Sequence, residues 1–201
     1  VCTTGGSNGT TVTLTGTAGL CTIAANQAGT SNYLAAPQVT QGFTVKLVLN
    51  VVLEGGQEVP VNGATATGSG TVTVDPVLNT LAYSFSYSGL TGALTGAHFH
   101  GPAARGVAAG VKIDLGANPA SGSVSFVVGD RADILAGNWY VNYHTAAFPG
   151  GEIRGQLDNL GAVPRRTNRG CRQPVGAHRG DDLTMEEADR GAAASIALHQ
   201  V

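Results

Sequence analysis

The run Leu81-Ala82-Tyr83-Ser84-Phe85-Ser86-Tyr87 alternates large apolar and small residues without a break. Side chains of an extended chain leave opposite faces in turn, so Leu81, Tyr83, Phe85 and Tyr87 share one face, which reads as core. Runs of similar length occur at 46–53, 70–74, 111–115, 123–128, 139–144 and 152–157, separated by glycine-rich turns. Asp75-Pro76 starts the turn that leads into the 81–87 strand. Short strands at such spacing predict an all-β fold, an antiparallel Greek-key-like sandwich, and not a parallel α/β sheet. The one helical turn expected before residue 160 lies at 130–136, with Asp130 as its N-cap.

Charge divides the chain into three regions. The first 45 residues carry none, 46–160 carry five basic and eight acidic side chains, and 161–201 carry six and five. In the first region Cys2 and Cys21 flank a Thr-rich hairpin at 10–14, with a closing strand at 40–45. A disulfide between them is expected, and with it an oxidising compartment; a metal pair is the alternative, but no third ligand lies nearby. Cys171 is expected to stay outside any bridge. Region 161–201 reads as a poorly ordered or partly helical tail, with a helix beginning near Leu183-Thr184-Met185. Its His178 and His199 are not expected to bind metal. The chain opens at Val1 and its one methionine is Met185, so it reads as a mature or excised segment.

Three histidines carry the chemistry. His98 and His100 are two apart in Ala97-His98-Phe99-His100-Gly101-Pro102, so on a strand both imidazoles leave one face. His144 ends the strand Trp139-Tyr140-Val141-Asn142-Tyr143-His144. Three imidazoles without a cysteine suit copper or zinc with an open position, and neutral imidazoles favour copper at equal availability. Affinity should fall as pH drops through about 6.5. The plainer reading is that the rings fill a sandwich edge and hydrogen-bond to backbone. Asp114 and Glu152 are further ligand candidates, though a surface or turn role explains each, and Glu152 with Arg154 reads as a surface ion pair. The glycines at 101–110 lack the Gly-Lys-Ser/Thr ending of a phosphate loop.

Two stretches resemble known families. Residues 1–45 are similar to the closing half of Ig-like repeats of bacterial surface proteins, through Ala18-Gly19-Leu20-Cys21-Thr22-Ile23 and Ala36-Pro37-Gln38-Val39-Thr40-Gln41. Residues 46–157 resemble a CHRD domain, the chordin-type module. The phrases that carry this are Leu53-Glu54-Gly55-Gly56-Gln57-Glu58-Val59-Pro60, Ala97 to Ala104, Leu135 to Thr145, and Phe148-Pro149-Gly150-Gly151-Glu152-Ile153-Arg154-Gly155-Gln156. That resemblance implies a secreted, extracellular or cell-surface β-sandwich, with the Ig-like stretch suggesting a bacterial source. A weaker similarity, to copper-zinc superoxide dismutase, implies His98, His100 and His144 as copper ligands and Arg154 as the arginine that guides the anion. No histidine lies between His100 and His144, so the bridging ligand and the zinc site of that family are missing.

Two function classes follow. The first is a non-catalytic extracellular module with a three-histidine copper (or zinc) site. Its expected partners are other domains or copies of itself, met through exposed strand edges. The second is a copper-only, superoxide-dismutase-like oxidoreductase. A domain with net negative charge lacks the positive funnel that speeds superoxide capture, which favours the first. With no basic stripe, nucleic acid is not an expected partner. No apolar run approaches the roughly 18 residues of a membrane span. Hydrolysis ranks third, for want of a Ser/His/Asp set or a close carboxylate pair.

Overall fold

The computed structural model describes residues 1–116 and 119–158, and the backbone of Ser195–Ala197. The described strands are β1 (Cys2–Gly5), β2 (Thr11–Leu14), β3 (Gly19–Gln27), β4 (Ala36–Val45), β5 (Leu47–Glu54), β6 (Thr67–Asp75), β7 (Thr80–Ser88), β8 (Leu94–His100), β9 (Val111–Asp114), β10 (Ser121–Ser125), β11 (Tyr140–Thr145), β12 (Ile153–Gln156) and β13 (Ser195–Ala197). Helix α1 (Arg131–Leu135) precedes β11.

Eight strands form one antiparallel sheet in the order β10-β7-β6-β5-β12-β11-β8-β9. Its two halves fold over one another, as aromatic contacts between them require: Tyr83 of β7 meets Phe99 of β8 with ring centroids 5.7 Å apart, and Tyr87 meets Tyr143 of β11 at 4.9 Å. A sheet folded in this way buries its inner face as a sandwich does. The fold-over lies where β12 meets β5, at the pair Arg154↔Glu54. Gly155 is required there, since a Cβ would stand 2.5 Å from Val51 Cγ1 and 2.8 Å from the Val52 carbonyl.

The alternation read from the sequence sets the core. Leu81 and Phe85 of β7 are buried with Leu49, Val51 and Leu53 of β5 and with Phe99, Trp139, Val141 and Ile153 from the other half. Asp75 fixes the β6–β7 turn by accepting from the Val77 and Leu78 amides at 3.0 and 2.9 Å. Those bonds, the Leu78 amide foremost and Lys46 after it, hold its carboxyl below the usual range.

Two expectations need correction. Asp130 stands at the N-cap of α1 but caps nothing with its side chain. A 3-10 turn runs straight into the helix and leaves Asp130 in helical rather than extended geometry, so its carboxylate accepts from Lys112 Nζ at 2.7 Å instead. Glu152 and Arg154 are not a surface pair; both are buried, with separate partners described below. In the C-terminal region, Ser195–Ala197 pairs with the open edge of β2, and the helix start expected near Leu183 lies outside the described residues. The other residues of the expected tail, Cys171, His178 and His199 among them, lie outside the described residues.

Residues 1–45 form two hydrogen-bonded pairs, β1 with β2 and β3 with β4. Cys2 and Cys21 are joined by the expected disulfide, with Cα atoms 5.7 Å apart and a sequence separation of 19. The bridge ties one pair to the other. A loop of this size is worth about 3 kcal/mol through restriction of the unfolded chain. Cys2→Ser should cost about that much in denaturant unfolding of this segment, and an unchanged midpoint would show that the bridge constrains little.

Candidate metal centre

Strands β8, β11 and β12 each give one face to the core and the other to a second, polar layer. Ala97 and Phe99, Val141 and Tyr143, and Ile153 face the core. Alternation then sets His98 and His100 of β8, Tyr140, Asn142 and His144 of β11, and Arg154 and Gln156 of β12 on the opposite face. His100, Asn142, Arg154 and Gln156 are nonetheless at most 7% exposed. Loop 101–110 contributes much of their bonding through its carbonyls. Ala103 accepts from Gln156 Nε2 at 2.8 Å, Val107 from Arg154 at 2.9 Å, and Ala109 from His100 Nδ1 and Tyr140 Oη at 3.0 and 3.1 Å.

Register brings the histidines together. Tyr140 stands opposite His100, Asn142 opposite His98, and His144 opposite Gly96. Gly96 shares a face with His98, and a Cβ there would touch the His98 ring at 3.6 Å. His98 Nδ1 lies 3.1 Å from His144 Nε2, and one nitrogen from each of the three histidines falls within 4.8 Å of the others. His98 and His144 are half-buried and His100 is buried.

Hydrogen bonding assigns the free nitrogens. A carbonyl only accepts, so Nδ1 of His100 carries the hydrogen toward Ala109, and Nδ1 of His144 carries it toward the Pro149 carbonyl at 3.0 Å. Nε2 of both rings is left with a lone pair. On His100 that atom is buried without a partner among the described residues, which is the kind of donor a metal ion would complete. Burial also lowers the pKa of His100 and of His144, keeping both rings neutral and able to ligate.

None of the remaining candidates joins the three-nitrogen group. Asp114 is exposed, with Oδ1 3.8 Å from His98 Nε2, outside the three-nitrogen group. Glu152 accepts from the Thr91 amide and hydroxyl at 2.7 and 2.9 Å and from Thr145 Oγ1 at 2.6 Å. Arg154 lies beneath the Tyr140 ring, 3.3 Å from its centroid. The other side of the site is a parallel stack of Tyr140 and His100, centroids 4.8 Å apart and 5° from coplanar. Sequence reasoning named neither Tyr140 nor Ala109 as a support for His100.

A protein-family model described as CHRD domain matches residues 49–157. No curated protein and no solved structure matches the chain.

Proposed function

Because the chain belongs to the CHRD family, we propose that residues 46–160 form a non-catalytic extracellular module that holds a copper ion on His98, His100 and His144. The observation that carries this reading is the buried, unpartnered Nε2 of His100 beside the close His98–His144 contact. A donor set of three imidazoles without thiolate suits copper first and zinc second. His98 would ligate through Nδ1, and its proton would then sit on Nε2, facing Asp114 across 3.8 Å. The Ala109 and Pro149 carbonyls hold the other two rings in the right tautomer. Bound there, copper would cross-link β8 to β11 and keep a position for a further ligand.

The dismutase-like alternative finds no support in Arg154, which is 2% exposed and covered by Tyr140. Partner domains or further copies would dock at strand edges. β3 and β4 form a separate two-stranded sheet bearing the exposed Leu20 and Val39, and such ribbons are marginal alone. No helix among the described residues is long and apolar enough to cross a membrane.

The test is metal analysis of the untagged protein after equilibration with equal Cu(II) and Zn(II). One copper per chain is expected. Zinc in preference, or no retained metal, would overturn the proposal.

A further inference from the structure

Away from the histidines, the polar layer holds two more buried acceptors without partners among the described residues, Oε1 of Glu58 and Oδ1 of Asn142. Glu58 is 5% exposed and Asn142 4%. Both crowd the open side of Gly151, where a Cβ would lie 2.7 Å from Glu58 Oε1 and would also run into the Asn142 amide. Elsewhere in the same pair, Nδ2 of Asn142 donates to Oε2 of Glu58 at 3.4 Å. A side-chain amide set against a carboxylate brings one donor and one acceptor to two acceptors. That leaves Oε1 and Oδ1 as two unmatched acceptors on the same side of Gly151, and turning the amide over only moves the mismatch. A single hydrogen on the carboxyl removes it.

We infer that Glu58 is held as the neutral acid, donating from Oε1 to Oδ1 of Asn142. The resulting acid–amide pair latches the 55–58 turn to β11 and opens when the proton leaves. Asn142 stands between Tyr140 and His144 on β11 and opposite His98, so the latch holds the strand that carries the histidine cluster. The inference does not depend on a metal binding there.

The surrounding charges agree with it. Arg154 of β12 favours the ionised form, but its guanidinium is already engaged by Tyr140, Val107 and Gln156. Arg105 is bonded to Gln57 and Asp158. Glu54 accepts from Gln57, and Glu152 is occupied by Thr91 and Thr145. Burial outweighs Arg154 and the hydrogen bonds from Asn142 and the Val59 amide, all of which favour the ionised form, and raises the Glu58 carboxyl from its ordinary 4.5 to about 7. The sign follows from a folded pKa above the unfolded one. The latch contributes fully below about 4.5, and its contribution is lost as pH rises to about 7. The folded-to-unfolded ratio changes by a factor on the order of 300.

Glu58→Gln supplies a permanent donor of nearly the same shape. Denaturant unfolding of the full chain, wild type and E58Q, should show the variant gaining on the wild type as pH rises from 4.5 to 8, by up to about 300-fold in that ratio. Shared titrations such as those of His100 and His144 cancel in the comparison. Infrared spectra at pH 6 should show a protonated-carboxyl stretch in the wild type that E58Q lacks. If E58Q does not fold, the carbon-13 carboxyl resonance of Glu58 in the wild type decides, with titration near neutrality expected. A constant difference between the two proteins with no such band, or a resonance titrating near 4.5, would overturn the inference and assign the orphaned oxygens to water or a cation.

Discussion

Removing the His144 imidazole is expected to weaken Cu(II) binding by more than about 100-fold. Losing a group that merely orients a ligand already costs 10–100-fold, and His144 would be a ligand itself. The loss should be shared by His98→Ala, because Nδ1 of His98 and Nε2 of His144 face each other at 3.1 Å. His100→Ala should behave the same way and also leave the Ala109 carbonyl with one donor fewer. His178→Ala, outside the described residues, should bind as the wild type does. Calorimetric titration of metal-free, untagged protein measures all four. Equal affinity across the set would leave the histidines as hydrogen-bonded packing.

Arg154→Ala is expected to cost about 3–5 kcal/mol in unfolding free energy. The side chain is 2% exposed, lies over the Tyr140 ring, and donates to the Val107 carbonyl and Gln156 Oε1. Its loss strands the buried Gln156 Oε1 at about 1–3 kcal/mol, removes the bond to the Val107 carbonyl and opens a space behind Tyr140. Lysine should not restore the loss, because an ammonium cannot lie flat on a ring while reaching two acceptors. Copper affinity should fall by about 10-fold as well, through the Tyr140 and loop contacts that orient His100. An exposed anion-guiding arginine would behave otherwise, changing stability by no more than about 0.5 kcal/mol. Denaturant unfolding distinguishes the two.

Much of this was legible in the residues, and the gaps share one cause. Alternation in 81–87 gave the core face of β7, and the His98-x-His100 spacing gave two rings on one side of β8. The Cys2–Cys21 bridge followed from placement across a hairpin. Period two separates the faces of a strand, but it does not say what covers the second face. Arg154, Glu152 and Asn142 therefore read as surface or went unnoticed, although loop 101–110, the 55–58 turn and the Thr91 segment engage them. The cover itself is hard to see, since Ala103, Val107 and Ala109 act through backbone carbonyls that every residue has. Glu58 lay within a recognised phrase, yet its orphaned oxygen depends on Asn142, 84 positions away.

The most direct test of the central claim is electron paramagnetic resonance of the Cu(II)-loaded, untagged chain, with histidine imidazoles labelled by nitrogen-15. One copper per chain, coupled to three imidazole nitrogens and reduced to two in His144→Ala, is the predicted result. Coupling to fewer than three in the wild type, or a spectrum unchanged by His144→Ala, would contradict it.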